Sequence, residues 1–257
     1  MLLAELASTS REIAATRART VKSERLASLL RRLVGDEIEI GVAYLSGHPR
    51  QSRLGIGGAA VQGVRGAAAA LEASLTLSEV DAALARIGSL SGPGSAGERQ
   101  RSLATLFERA TAEEQDFLGR LLVGELRQGA LAGVMEDALA KATGIAAPEI
   151  RRATMLSGDP EAVARAVLHE GRTALAGFRV QLFRPVQPML ASPADDLDAA
   201  LERLGEAALE YKLDGARVQV HKAGDDVRVF SRLLNDVTVA VPELVAAVRA
   251  LPARELI

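Results

Sequence analysis

Apolar residues recur at helical spacing through most of the first 178 positions of the chain. Residues 2–34 predict one long amphipathic helix or a broken pair of helices. Residues 37–45 alternate in a way that suggests a strand, but their helical neighbourhood and the glycine that follows favour a helix. Capping residues, glycines and a proline predict further helices over residues 80–87, 111–126, 131–143, 148–156 and 161–176. The region up to about residue 178 is therefore predicted to be all-α.

Two sequences of the capping-box type are expected to begin helices in this region. Ser78-x-x-Asp81 would open the helix over residues 80–87, and Thr111-x-x-Glu114 would open the helix that runs through Leu126. Between the two boxes, residues 89–97 are rich in glycine and serine, and we expect them to form a flexible connection.

The pattern changes after residue 184. The segment Arg184-Pro-Val-Gln-Pro-Met-Leu-Ala191 carries two prolines, which exclude a regular helix and predict an extended crossing. Beyond it the alternation predicts an α+β arrangement. Its expected elements are a helix over residues 197–208, strands over 209–213, 217–222 and 227–231, a hairpin turn at 223–226, a helix over 242–251 and a last strand from 255.

Composition then narrows the classes of protein. Hydrophobic residues make up 48% and aromatic residues 3%, so the core must consist of Ala, Leu and Val. The formal net charge of −2 excludes a general polycation but leaves room for local basic faces. The chain has no cysteine, which excludes a disulfide framework and a thiolate metal site. It also has no long apolar run and no secretory leader, so we expect a cytoplasmic protein without membrane association.

One lysine stands out as a candidate nucleophile. Only four of the 31 basic residues are lysines, and Lys212 lies within a K-x-D-G-x-R sequence. A lysine can become neutral and accept a nucleotide on its side chain, whereas an arginine cannot. An isolated K-x-D-G more often marks a lysine before a hairpin turn. The histidines lack metal-ligand spacing, so we assign no metal ligand, and we expect His221 to be a surface residue of a strand.

Three segments together resemble a known family. Glu210-x-Lys212-x-Asp214-Gly215-x-Arg217 resembles the lysine motif of covalent nucleotidyltransferases, in particular of ATP-dependent DNA ligases of the bacterial, actinobacterial type. Gly124-Glu-Leu-Arg-Gln-Gly129 resembles a segment of the helical DNA-binding domain of these ligases. The proline-containing segment from Arg184 resembles the start of their catalytic domain. The resemblance thus extends over the whole chain.

The resemblance implies a multidomain protein, with an all-α DNA-binding domain at residues 1–180 and the start of an α+β adenylation domain at residues 181–257. It also implies ATP and Mg²⁺ as cofactors, nicked duplex DNA as partner and a monomeric state. The residue roles that it implies are Lys212 as the catalytic nucleophile, Glu210 at the adenine, Arg217 at the ribose, Arg232 in the second short motif, and Arg127 and Gly129 at the DNA.

The resemblance also implies that the sequence is an N-terminal portion. Where this sequence ends, after Glu255-Leu-Ile257, the family continues through an acidic motif and further lysine motifs. We therefore expect a truncated adenylation domain that is only partly folded and not competent for the full reaction. Two alternatives remain open. The chain could be a non-catalytic fragment that binds duplex DNA, or another lysine nucleotidyltransferase of the RNA-ligase or capping type.

Overall fold

The computed structural model describes residues 1–51, 53–66, 68–126, 132–188, 193–211 and 213–257. Contacts between residues divide the chain into two compact units. The first comprises residues 1–153 and 159–177, and the second comprises residues 154–158 and 178–257. The roles expected for the two parts, DNA binding and adenylation, stay predictions.

The first unit is helical, as predicted for the described residues. Its helices are α1 (Leu3–Ala14), α2 (Arg19–Leu30), α3 (Glu37–Ser46), α4 (Gly58–Val64), α5 (Leu77–Ser89), α6 (Ser95–Glu108), α7 (Ala112–Leu122), α8 (Ala132–Thr143), α9 (Ala147–Ser157) and α10 (Pro160–Glu170), followed by a 3₁₀ segment (Gly171–Gly177). The last turn of α9 belongs to the second unit. No helix among the described residues combines the length and apolar character needed to cross a bilayer.

The core of the first unit is aliphatic, in agreement with the composition. The amphipathic segment at residues 2–34 forms the broken pair α1 and α2, and α1 buries Leu3, Leu6 and Ile13 at helical spacing. The helix favoured over residues 37–45 is confirmed as α3. Its apolar residues are buried on nearly all sides of the helix, which explains why the sequence alternated like a strand.

One of the two predicted capping boxes is confirmed and the other is wrong. Thr111 caps α7, since its hydroxyl accepts a hydrogen bond from the Glu114 N–H. The helix predicted to open with Ser78 and Asp81 instead begins two residues earlier, with a box formed by Thr76 and Glu79. The Asp81 carboxylate accepts a hydrogen bond from Gln51 at 3.0 Å and is therefore used in a tertiary contact.

Two helix boundaries also differ from the sequence prediction. Helix α7 ends at Leu122 rather than near Leu126, because Gly124 adopts a left-handed φ of +70° and donates its N–H to the Leu121 carbonyl. The predicted flexible connection at residues 89–97 is shorter than expected, since Ser95 already begins α6. That helix was missed because it is entered through Gly94, at φ +84°, in a stretch that resembles a linker.

The second unit contains a small antiparallel sheet beside one helix. Its elements are α11 (Leu197–Leu204), β1 (Val218–Ala223), β2 (Asp226–Ser231), a 3₁₀ turn (Thr238–Ala240), α12 (Pro242–Arg249) and β3 (Glu255–Leu256). The strand order is β2-β1-β3, and the register of the hairpin runs from Val218 opposite Ser231 to Ala223 opposite Asp226. The predicted hairpin turn, the helix from residue 242 and the last strand are therefore confirmed.

One face of this sheet packs against α12. Val227, Val229 and Val248 form its buried core, with partly buried valines and leucines around them. Lys222 points to the same side, where its ammonium donates to the Arg249 carbonyl at 3.0 Å. A cation at the carboxyl end of a helix complements the helix dipole, so Lys222 serves as a cap for α12.

Two sequence predictions for this unit are wrong. Residues 209–211 and 213 have no regular secondary structure and are exposed, so these described residues do not form the strand predicted over 209–213. A strand needs a partner edge, and no described strand pairs with these residues. Helix α11 ends at Leu204 instead of residue 208, because Gly205 adopts a φ of +68°.

Candidate functional site

A cleft of about 280 Å³ in the second unit is lined by both arginines predicted to bind the nucleotide. Arg217 directly precedes β1, and Arg232 directly follows β2. Because Val218 lies opposite Ser231 in the antiparallel hairpin, the two arginines stand at the same end of it. The cleft is lined by Val186, Pro188, Arg217, Val218, Gln219, Ser231, Arg232 and Leu234.

The charge of this cleft is positive. Both Arg217 and Arg232 are exposed, and within the described part of the chain no carboxylate forms an ion pair with either. Guanidinium groups donate paired hydrogen bonds that match the oxygens of phosphates and carboxylates. The arrangement can therefore bind an anionic group such as a phosphate.

One wall of the cleft is a segment without regular structure, held by a side chain of β1. Gln219 makes two hydrogen bonds with the backbone of Val186. The Val186 N–H donates to Oε1 at 2.8 Å, and Nε2 donates to the Val186 carbonyl at 3.2 Å. Residues 185–188 contain no helix, in agreement with the prolines of the predicted extended crossing.

The structure brings some of the predicted site residues together and leaves others apart. Arg217 and Arg232 share the cleft, whereas Glu210 is exposed and is not among the residues that line it. The proposed nucleophile Lys212 lies outside the described residues, as do Arg127 and Gly129, which were predicted to contact DNA. The roles of all these residues remain predictions.

Sequence reasoning missed the residues that support the cleft wall. His221 was expected at the surface, but it is fully buried beneath the segment that contains Phe183 and Val186. Its placement on the same side of β1 as Gln219 follows from strand alternation. The covering segment could not be predicted from alternation, and the expectation of a surface histidine was wrong for that reason.

The described residues offer no obvious protein-based site for a metal. They contain no group of three or more histidine, aspartate or glutamate side chains close enough to hold an ion.

Two parts of the sequence match known protein families. Residues 61–140 match the family described as DNA ligase N terminus, and residues 188–256 match the family described as ATP dependent DNA ligase domain. The first match falls within the helical unit, and the second includes both arginines of the cleft and the lysine motif.

The chain is also similar along its whole length to proteins named probable DNA ligase. It is 55% identical to one from Anaeromyxobacter dehalogenans, with all of this chain aligned to 51% of the relative. Identity is 51% to one from Sorangium cellulosum, with 48% of that relative covered. For one from Saccharopolyspora erythraea, identity is 49% and coverage of the relative is 50%.

The chain spans about half the length of these curated relatives. Both family matches and the full-length alignment of this chain agree in pointing to the same family. These findings confirm the resemblance of the chain to bacterial ATP-dependent DNA ligases, and they show that it is similar to an N-terminal portion of such proteins.

Proposed function

We propose that this chain carries the DNA-binding part and the AMP-accepting part of a ligase that seals nicks in duplex DNA with ATP. The observation that carries the proposal is the cleft that Arg217, the last residue of the lysine motif, shares with Arg232. The similarity to proteins named probable DNA ligase supports the same reaction. The alternative of an RNA ligase or capping enzyme loses support, because residues 61–140 match the N-terminal region of DNA ligases.

The proposed chemistry has three steps. The Lys212 amine attacks the α-phosphorus of ATP, so that a P–N bond forms, pyrophosphate leaves and the amine loses a proton. A 5′-phosphate oxygen at the nick then attacks the same phosphorus, and the P–N bond breaks to return the amine. The 3′-hydroxyl finally attacks the activated 5′-phosphate, and AMP leaves as the strand is joined.

The residues of the cleft have defined roles in the first step. Arg217, on the ribose side, and Arg232 would stabilise the negative charge that develops on the phosphate oxygens. Their positive charge would also favour the neutral amine of Lys212, which is the form that attacks. Glu210 would recognise the adenine. Mg²⁺, bound to the phosphates, would supply further charge neutralisation.

The first unit would hold the DNA. Binding through the sugar–phosphate backbone is largely independent of base sequence, which suits an enzyme that must act at any nick. Arg127 and Gly129 are the proposed contacts, because an arginine can bind a phosphate and a glycine allows close approach of the backbone.

The mass of the chain after incubation with ATP and Mg²⁺ tests the nucleotide step. We expect the wild type to gain the mass of one adenylyl group on Lys212, and Lys212→Ala to gain none. Lys141→Ala is the matched control, since Lys141 is a lysine of the first unit that pairs with Glu24 at 3.2 Å. The Lys141→Ala variant should be adenylylated like the wild type. Because the chain has few lysines, peptide mapping can identify the modified one directly.

An adduct that persists in Lys212→Ala, or that maps to Lys22 or Lys141, would contradict the proposal. A second candidate function is duplex-DNA binding without adenylation. It is favoured by the exposure of residues 213–217 and by the position of Glu210 outside the cleft lining. Salt-dependent DNA binding by a wild-type chain that acquires no adenylyl group would select this second function.

A further inference from the structure

We infer that His221 is a positioning residue for the nucleotide cleft, acting through Gln219 on the wall formed by residues 185–188. His221 fixes the orientation of the Gln219 amide, and Gln219 in turn holds the backbone of Val186. The inference rests on the proposed function, because it treats the cleft of Arg217 and Arg232 as the nucleotide site.

The hydrogen bonds of His221 define its tautomer. The Phe183 N–H donates to Nδ1 at 2.9 Å, so Nδ1 must be an acceptor without a proton. The neutral ring therefore carries its proton on Nε2, which lies 2.8 Å from Oε1 of Gln219. Nε2 must donate in this contact, and Oε1 must accept.

This tautomer determines which way the Gln219 amide faces. Oε1 accepts from both the His221 ring and the Val186 N–H, which leaves Nε2 of Gln219 to donate to the Val186 carbonyl. A rotated amide would place its NH₂ group against two other donors. The buried ring thus excludes the rotated amide, and it does so without touching the cleft itself.

The turn beside His221 is strained and needs such support. Phe183 has a φ of +63°, and the turn closes with a hydrogen bond of 3.2 Å from the Arg184 N–H to the Gln181 carbonyl. Leu234, which lines the cleft, has a φ of +65°. Among the described residues these are the two non-glycine positions with positive φ. Strained backbone persists where surrounding contacts hold it, and such positions are frequent at functional sites.

The ring itself has little freedom to move. Phe230 meets it edge to face, with ring centroids 5.1 Å apart and an interplanar angle of 78°. The Phe183 ring lies on another side at 6.5 Å. Aromatic packing of this kind fixes the ring plane, and with it the directions of both nitrogens.

The surroundings of His221 favour its neutral form. Burial lowers its pKa below the ordinary value. The charged groups on the elements around it are Arg179 and Arg184 of the covering segment, Arg228 of β2 and Lys222 of β1. These are cations, and the acids Asp226 and Asp236 pair with Arg228 instead. A protonated ring would also place an N–H at Nδ1 against the Phe183 N–H. Protonation of His221 at low pH should therefore loosen the cleft wall formed by residues 185–188.

Nuclear magnetic resonance of the full chain tests the inference without nucleotide. Ring nitrogen shifts should show the Nε2–H tautomer of His221 and a pKa below the ordinary value near 6.5. His221→Asn keeps an acceptor for Phe183 but loses the donor to Gln219, so exchange of the Val186 N–H should quicken by about three- to tenfold. His221→Gln retains a donor that can reach Gln219 and should restore part of this protection.

Nucleotide affinity gives the second readout. ATP binding is measured in a Lys212→Ala background, so that no adenylate forms. The Kd for ATP should rise by about three- to tenfold with His221→Asn and by less with His221→Gln. It should also rise as the pH falls through the pKa of His221, and this step should be absent in His221→Asn.

Lys222→Met is the matched control. Lys222 is the neighbouring buried residue of β1, but its ammonium caps α12 on the opposite face of the sheet. Its replacement should lower the stability of the unit and leave the His221 tautomer and the Val186 exchange unchanged. A change equal to that of His221→Asn would mean that general loosening of the unit explains the effect, and would overturn the inference.

The two readouts separate the inference from the proposed function. If all variants bind ATP equally and exchange Val186 equally, or if the ring carries its proton on Nδ1, the inference fails and the proposed function stands. If the wild type binds no ATP, the nucleotide assignment of the cleft fails, and with it the positioning role inferred for His221.

Discussion

Arg217 and Arg232 lie at the same end of one hairpin and line the same cleft, where no described carboxylate forms an ion pair with either of them. If they hold the phosphates of ATP, replacing either by alanine should raise the Kd for ATP by about 10- to 100-fold, because a charge-assisted hydrogen bond is lost. Binding is measured in the Lys212→Ala background. Arg217→Lys should lose less than Arg217→Ala, since the charge remains without the paired donors.

Arg203→Ala is the control for this pair of arginines. Arg203 is an exposed arginine of α11 in the same unit and does not line the cleft. It should leave the affinity for ATP unchanged. The double variant of Arg217 and Arg232 should lose less than the sum of the single effects if both bind one phosphate group. Unchanged affinity in both single variants would exclude this cleft as the nucleotide site.

The sequence predicted site residues that belong to a recognisable motif. It did not predict residues whose role depends on tertiary contacts. Arg217 and Arg232 could be proposed because the resemblance of their motifs to those of DNA ligases implies a role for each. The support of the wall by Gln219 and His221 depends on a covering segment more than thirty positions away along the chain. No local pattern reveals such a contact, so the environment of His221 required the structure.

At the scale of elements, the two capping boxes differ in burial and should differ in strength. Glu114 is fully buried, and its carboxylate accepts from the Thr111 N–H at 2.8 Å and from the Thr111 hydroxyl at 2.9 Å. Thr76 and Glu79 form the corresponding box at an exposed site. Thr111→Ala removes one donor from a buried carboxylate and should destabilise its helix by about 1–2 kcal/mol, near the upper end for a cap.

Hydrogen exchange of amides in α7 and α5 measures the two effects separately. Thr76→Ala is the matched control. It should destabilise α5 by less, about 0.5–1 kcal/mol, because water can replace the lost hydroxyl. Thr111→Ser should retain most of the protection in α7, since the hydroxyl remains. A larger effect at Thr76 than at Thr111 would contradict the role assigned to burial.

Elements with strong periodicity were predicted well, and elements defined by their neighbours were not. The pair α1 and α2, the hairpin of β1 and β2, and α12 all follow from local patterns. The strand expected over residues 209–213 had the right local pattern but has no partner edge in the described chain. Helix α6 was not predicted because the glycines at its start resemble a linker, although Gly94 is its N-cap.

At the scale of the whole molecule, charge decides how DNA could be bound. The formal net charge of −2 gives no general attraction to a polyanion, so the proposed DNA binding would have to come from a local basic face, which we place on the first unit. The helices and the small sheet lie in different units, because helical and strand periods dominate different parts of the chain, whereas the predicted domain bounds stay a prediction. The roles of the two units follow from resemblance rather than from periodicity.

The DNA role leads to a prediction for the full chain. It should bind nicked and continuous duplexes of unrelated sequence with similar affinity, and the logarithm of the binding constant should fall linearly with the logarithm of the salt concentration. Arg127→Ala should weaken binding equally for every sequence and reduce the salt slope by about one.

Arg25→Ala is the control, since Arg25 is an exposed arginine of the same unit that pairs with Glu12. Fluorescence anisotropy with labelled duplexes at several salt concentrations measures both quantities. Binding that depends on base sequence, or an equal loss in the two variants, would contradict a backbone contact by Arg127.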